Sequence, residues 1–241
     1  MFRVSAVQMA IDDKQPGRNL HKILQYMEAA KENGSYIACF PETSLSGLAR
    51  PAIKEVVDML SLIEKKAHSL GMYTIVGSYC EKEGKVYNEL YVIDDLGTWT
   101  RTYQKRHLWE AEEGVMPGLD INQPIITPEG SIGIINCWDI AFPEETKSLA
   151  REGARVIFCP AYWFDKPRPD NPDYFGYPSA RANENQVYLV FCDAFSKETV
   201  GRSKIVSPVK VLAEAREEEL ISADVDFDEL ETLRQKYNCW K

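Results

Sequence analysis

Apolar positions along the chain switch between two periods, and the switching predicts most of the elements. Residues 2–9 form an apolar run of strand character. In 19–31, Leu20, Ile23, Leu24, Met27 and Ala30 recur at the spacing that collects them on one helix face. Residues 36–41 read as a strand, and 51–69 as a helix whose apolar face carries Ile53, Val56, Val57, Leu60, Ile63 and Ala67. Strands follow over 73–79, 86–93 and 98–104, with Asp94-Asp95-Leu96-Gly97 as a turn. The pattern then predicts a strand over 132–137, a helix over 143–152, a strand over 156–160, a helix over 179–185 and a strand over 187–193. Short strands at 204–206, 209–213 and 220–225 precede a charged segment, 228–236, read as a helix. Strands alternating with helices predict an α/β fold with functional groups gathered at strand ends. No linker-like Pro/Gly/Ser tract or composition shift divides the 241 residues, so a single domain over 1–241 is expected.

Three of these strand ends carry chemistry. The apolar run at 132–137 finishes on Cys137 and leads directly toward a helix start, where backbone N–H groups can stabilise a thiolate and then an oxyanion. Residues 36–41 run into Pro41 and place Glu42 at the strand's carboxyl end, which makes a base available. Residues 99–104 alternate and deliver Lys105 just before the pattern breaks toward Pro117-Gly118, which makes a fixed cation available. Singly, these would read as a buried cysteine, a surface glutamate and a surface lysine. Together they are what a thiol needs to cleave an amide.

Phe40-Pro41-Glu42, Tyr103-Gln104-Lys105-Arg106-His107-Leu108 and Asn136-Cys137-Trp138-Asp139, the last followed by Phe142-Pro143-Glu144, resemble the three signature motifs of the carbon–nitrogen hydrolases, the nitrilase superfamily. Flanking echoes at 4–9, 180–188 and 203–208 extend the resemblance over nearly the whole chain. It implies a four-layer α-β-β-α sandwich, a homodimer or higher homo-oligomer paired through helical faces, and hydrolysis of a small amide or carbamoyl compound through a cysteine thioester. Nitrile hydrolysis on the same scaffold, or a catalytically idle member used for protein interaction, are the alternatives. Within the implied site Glu42 is the base, Cys137 the nucleophile, and Lys105 with the backbone N–H of Trp138 the oxyanion donors. The family pattern also has a second carboxylate beyond the lysine, for which Glu110, Glu112 and Glu113 compete. Counting forward from Lys105 favours Glu112, whereas counting back from Pro117-Gly118 falls one residue short.

Composition narrows the partners. A formal net charge of −9 argues against nucleic acid, and the cluster Lys105-Arg106-His107 does not reverse it. No apolar run is long enough for a membrane span and no signal peptide is read at the start, so a cytoplasmic protein is expected. The six cysteines lack paired spacing and His21, His68 and His107 are dispersed, so neither disulfides, a metal nor a cofactor is expected. A histidine base at His107 is disfavoured because the strand pattern is already breaking there. Many relatives acting on acidic substrates carry an arginine where this chain has Ile140-Ala141, so a substrate carboxylate loses its obvious partner. The aromatic and proline-rich stretch 161–177 is placed to wall a pocket with Trp163 and Phe164, although Tyr162, Trp163 and Phe164 read equally as core or dimer-interface residues. Asp165, Asp170 and Asp173 read as exposed loop carboxylates, with selection of a cationic substrate the alternative.

Overall fold

The computed structural model describes residues 2–164 and 175–237. Its first half runs β1 (Phe2–Gln8), α1 (Pro16–Glu32), β2 (Ile37–Cys39), α2 (Ile53–Leu70), β3 (Tyr73–Lys82), β4 (Lys85–Ile93), β5 (Trp99–Gln104) and β6 (Val115–Met116). There follow β7 (Ile125–Thr127), β8 (Gly130–Ile134), a 3-10 turn at Cys137–Ala141, α3 (Pro143–Arg151), β9 (Val156–Ala161), α4 (Tyr177–Asn185) and β10 (Tyr188–Asp193). The chain closes with β11 (Lys204–Val206), β12 (Val211–Glu214), β13 (Glu219–Val225) and α5 (Phe227–Lys236).

The strands form two mixed sheets. One has the order β13-β1-β2-β3-β4-β5 with β6 added on β4, and the other the order β12-β11-β10-β9-β8-β7. At the centre of each, three neighbours run parallel: β1, β2 and β3 in the first, β8, β9 and β10 in the second. Period-two alternation then sorts each strand's residues to two faces. Val4, Ile37, Ile75 and Val92 meet Ile134, Val156, Phe158 and Val190 between the sheets. Val7, Ala38 and Val76 point the other way, onto Ile23 and Met27 of α1 and Val56, Leu60 and Ile63 of α2. On the far side Ile157, Leu189 and Phe191 pack on Leu149 of α3 and Ala182 of α4. Three cores between four layers make the α-β-β-α sandwich.

Several boundaries differ from the sequence pattern, each for a local reason. The strand expected over 132–137 ends at Ile134, because Cys137 has φ 49° and cannot continue an extended run. Helix α1 begins at Pro16, three residues early, since proline is pre-set for the first helical turn. A turn closed by Ser207 N–H to Lys210 O delays β12 to Val211. Helix α5 starts at Phe227, capped by Asp226 Oδ1, which accepts from the N–H groups of Asp228 and Glu229. Strands β6 and β7, two and three residues long, fall below what periodicity detects.

The loops that leave β2 and β5 lie tightly against glycines. A Cβ on Gly77 of β3 would sit 2.5 Å from Thr43 N and 3.1 Å from Glu42 Cα. In the space left free, Leu45 N–H reaches Gly77 O at 2.9 Å and Gly77 N–H reaches Ser44 Oγ at 3.1 Å. A Cβ on Gly118 would sit 2.3 Å from Gln104 O, and Gly118 N–H donates to Lys105 O at 2.8 Å. Gly77→Ala should therefore destabilise by about 1–3 kcal/mol, the cost typical of overpacking against an immobile neighbour. Gly17→Ala, in α1 with nothing within 4 Å of its Cβ position, should be neutral or stabilising by up to ~1 kcal/mol. Denaturant unfolding of the two variants checks the contrast, and equal effects would remove the close-approach argument.

Candidate active site

Glu42, Lys105 and Cys137 leave three different strands and converge where the two sheets face each other, all almost inaccessible at 4%, 2% and 6% exposure. Lys105 Nζ donates to Glu42 Oε1 and to Glu112 Oε2, each at 2.7 Å. Ions so deeply buried each cost several kcal/mol in lost hydration, so the array requires dense pairing. It has that pairing. Asn88 Nδ2 donates at 2.7 Å to Glu42 Oε1 and at 2.7 Å to Glu112 Oε1, while Asn88 Oδ1 accepts from Asn136 Nδ2 at 2.9 Å. The Tyr162 N–H completes Glu42 at Oε2, 2.9 Å away, and the Trp109 N–H completes Glu112 at Oε2, 2.8 Å away. Glu112 is thus the carboxylate that meets the lysine, and Glu110 and Glu113 are exposed. Asn88 went unnoticed in the sequence, since one asparagine in a regular strand carries no pattern.

Cys137 opens the 3-10 turn in a left-handed conformation, and Thr43, next to Glu42, has φ 50°. Such conformations in non-glycine residues persist where surrounding contacts over-determine them. At Cys137 much of the restraint comes from Asp139, which is wholly buried. It accepts from Asn136 N–H at 3.0 Å, His107 N–H at 2.8 Å and Tyr103 Oη–H at 2.7 Å. One carboxyl group therefore ties the cysteine turn to the segment carrying Lys105. Burial pushes its pKa up to about 6 against the opposing pull of those donors.

Electrostatics set the resting protonation state. Burial, and then the nearby charge of Glu42, pushes the Cys137 thiol well above its ordinary value, with Lys105 pulling the other way. The thiol is protonated at rest. Burial alone would lower the Lys105 pKa, but Glu42 and Glu112 outweigh it and hold the ammonium charged. His107 stands apart from this chemistry: its Nε2 lies 2.9 Å from Glu145 Oε1 and its ring stacks on Phe142 at 3.7 Å. Cys159 Sγ, 3.9 Å from Cys137 O, is fully buried behind the turn.

A cavity of about 320 Å³ reaches the cluster, bordered by Glu42, Lys105, Glu112 and Cys137 and by a wall of aromatic side chains. Trp138, expected from its place after the cysteine, lies in that wall, 5.3 Å between ring centroids from Trp163 and 4.6 Å from Trp109. Trp163 has two sets of neighbours. It lines the cavity, and it packs on Phe175, Tyr177 and Phe191 in the outer core while its backbone N–H donates to Asp193 Oδ1 at 2.9 Å. Phe164 also borders the cavity, half exposed and stacked on Tyr162 at 4.4 Å. Tyr79 and Trp109 were missed, because strand β3 and the 105–114 segment give no hint of facing the same space. Asp165, Asp170 and Asp173 lie outside the described residues. Among the described residues no group of histidine, cysteine and acidic side chains could hold a metal, and no helix is long and apolar enough to cross a membrane.

The family model of the carbon–nitrogen hydrolases matches residues 3–235. The chain is 29% identical over 249 residues to a 2-oxoglutaramate amidase of Bacillus subtilis, covering 97% of this chain and 94% of the relative. It is 28% identical to an omega-amidase, NIT2, of Xenopus tropicalis, over 98% and 92% of the two chains. Among solved structures, Saccharomyces cerevisiae Nit3, a member of branch 10 of the nitrilase superfamily, superposes with a TM-score of 0.86 at 25% identity, covering 100% of this chain and 95% of that one. With the sandwich, the buried strand-end cluster and a family match across nearly its whole length, this chain belongs to the carbon–nitrogen hydrolases of the nitrilase superfamily, as an amidase-like member.

Proposed function

We propose that the protein hydrolyses the carbon–nitrogen bond of a small amide or carbamoyl compound through a thioester on Cys137, with Glu42, Lys105 and Cys137 as the reacting set. The observation that carries this reading is the Lys105 ammonium, fixed between Glu42 and Glu112 in the same cavity wall as the thiol. Because the thiol rests protonated, it needs a base during attack, and Glu42 is the carboxylate that acts on it. Glu42 takes the Sγ proton as sulfur bonds to the carbonyl carbon, and the carbonyl electron pair moves onto oxygen. Two ammonium protons of Lys105 are engaged by the carboxylates, and the third serves the oxyanion with the Trp138 N–H. Collapse of the tetrahedral adduct breaks the C–N bond as Glu42 returns its proton to the departing nitrogen. A water deprotonated by Glu42 then attacks the thioester, the C–S bond breaks and sulfur recovers the proton. The net change is amide plus water to carboxylic acid plus ammonia or amine. Glu112 and Asn88 touch no reacting atom in this scheme and act as positioning residues.

Cys137→Ala should abolish turnover of any amide the wild type accepts while unfolding at nearly the wild-type denaturant midpoint. Mass spectrometry of wild type quenched during turnover should show an acyl adduct on the peptide containing Cys137, and an adduct on Cys159 instead would reassign the nucleophile. Lys105→Arg should lose about 100-fold or more in kcat, because a planar guanidinium cannot take the place of a compact ammonium aimed at oxygen. Lys105→Met should in addition destabilise by about 3–5 kcal/mol, as it leaves two buried carboxylates without their cation. Near-wild-type kinetics for the arginine variant would show that a compact ammonium is not required, and near-wild-type kinetics for the methionine variant that the lysine serves stability alone. Asn88→Ala should lower kcat by about 100-fold with little change in KM, the signature of a misplaced base. Steady-state kinetics on a common amide checks both.

A further inference from the structure

Strands β9 and β10 run side by side as far as the pair Ala161 and Asp193, where the ladder ends with Ala194 N–H on Ala161 O at 3.1 Å. Residues 162 and 163 lie just beyond it, and there two carboxyl groups take the place of a neighbouring strand. The Tyr162 N–H goes to Glu42 Oε2 and the Trp163 N–H to Asp193 Oδ1, each at 2.9 Å. Asp193 Oδ2 accepts from Gly201 N–H at 2.9 Å, and Val200 N–H returns to Trp163 O at 3.1 Å. Gln8 of β1 holds the 200–203 loop in turn. Its Nε2 donates to Gly201 O at 3.0 Å, and its Oε1 accepts from Ser203 N–H at 2.8 Å and from Ser203 Oγ at 2.9 Å. Asp193, Gln8 and Ser203 are all wholly buried. Burial pushes the Asp193 pKa up to about 8, against the pull of the Trp163, Gly201 and Ala194 N–H groups. Among the described residues, the partners of its two oxygens are backbone N–H groups.

We infer that Asp193 is a positioning residue for the base: by holding the 162–163 backbone, it fixes the direction in which Glu42 Oε2 faces the Cys137 thiol. The inference rests on the amidase reading above, in which Glu42 takes the thiol proton. Glu42 Oε1 already accepts from Lys105 and Asn88, each at 2.7 Å, which leaves Oε2 as the oxygen with a lone pair for that proton. With Oε1 held, the carboxylate can still rotate about it, and the Tyr162 N–H is the contact that stops the rotation. One residue separates that N–H from the Trp163 N–H, so a shift at Asp193 reaches Glu42 through a single step of backbone. The Trp163 ring is held separately by Phe175, Tyr177 and Phe191, so the cavity wall depends less on Asp193 than the base does. Both oxygens of a carboxyl group accept hydrogen bonds whether or not it carries a proton, whereas the nitrogen of an asparagine amide accepts none. Asp193→Asn therefore keeps the shape of the side chain and sets a donor against the Trp163 or the Gly201 N–H.

Asp193→Asn should lower kcat by about 10- to 100-fold with KM within about threefold of wild type, the split expected of a misdirected base. Alkylation of Cys137 by iodoacetamide, followed by mass spectrometry of its peptide, reads the transfer of the thiol proton without any amide turnover, and it should slow by a comparable factor. Ser203→Ala removes the hydroxyl that accepts the Asp193 N–H at 2.8 Å and leaves both carboxyl contacts in place. It should lower the denaturant midpoint while kcat and the alkylation rate stay within about threefold. Where Asp193→Asn does not fold, indole-3-lactic acid introduced at position 163 by nonsense suppression deletes the one N–H and keeps every side chain, and the same two losses are expected. Wild-type kcat and alkylation in the folded asparagine or ester variant, or losses in Ser203→Ala as large as in Asp193→Asn, would overturn the inference. If wild type hydrolyses no amide, the amidase reading fails on its own, and the alkylation rates still decide whether Asp193 governs the hold of Glu42 on the thiol.

Discussion

A lysine ammonium held between two carboxylates, almost wholly buried, is the constraint on which the rest of this molecule turns. Each of the three ions would be costly to bury alone, and removing one leaves the others uncompensated. The cluster therefore exists only if β2, β5 and the 105–114 segment deliver Glu42, Lys105 and Glu112 to one point within hydrogen-bond distance. Asn88, from the strand between, spans both carboxylates with a single amide group and keeps them from separating. The electrostatics follow from this packing. The ammonium stays charged despite burial and the neighbouring thiol stays protonated, which is why the proposed mechanism gives Glu42 the thiol's proton.

The scaffold's contribution is to fix backbone rather than to supply reactive groups. The segment bearing Glu42 lies on Gly77 and the strand end bearing Lys105 lies against Gly118, both at distances that leave no room for a Cβ. Asp139 joins the Cys137 turn to the chain just beyond Lys105 through its contacts with Asn136, His107 and Tyr103. These contacts join both sheets, so the geometry of the cluster inherits the rigidity of the central core. Pre-organisation of this kind matters because a displacement of about 1 Å at a reacting group can cost two orders of magnitude in rate.

Much of the architecture was legible in the chain itself. Strand alternation and helical faces placed most of the elements, since a sheet buried on both sides and a helix buried on one impose different periods on the same apolar residues. The residues of the buried cluster were legible too, because Glu42, Lys105 and Cys137 each sit where a predicted strand stops, and resemblance supplied the layering that periodicity could not. The tertiary structure decided the remainder. The choice of Glu112 over Glu110 and Glu113 depended on which carboxylate the turn after Trp109 aims at Lys105. The roles of Asn88, Tyr79 and Trp109 depended on which strand faces lie opposite one another, and Trp163 could be both wall and core because a large ring has two sides to bury. Sequence pattern reports how each segment divides its own residues between inside and outside. Which of those insides meet is settled by long-range pairing of strands far apart in the chain, and that pairing is what places three ions, a thiol and an aromatic wall around one cavity.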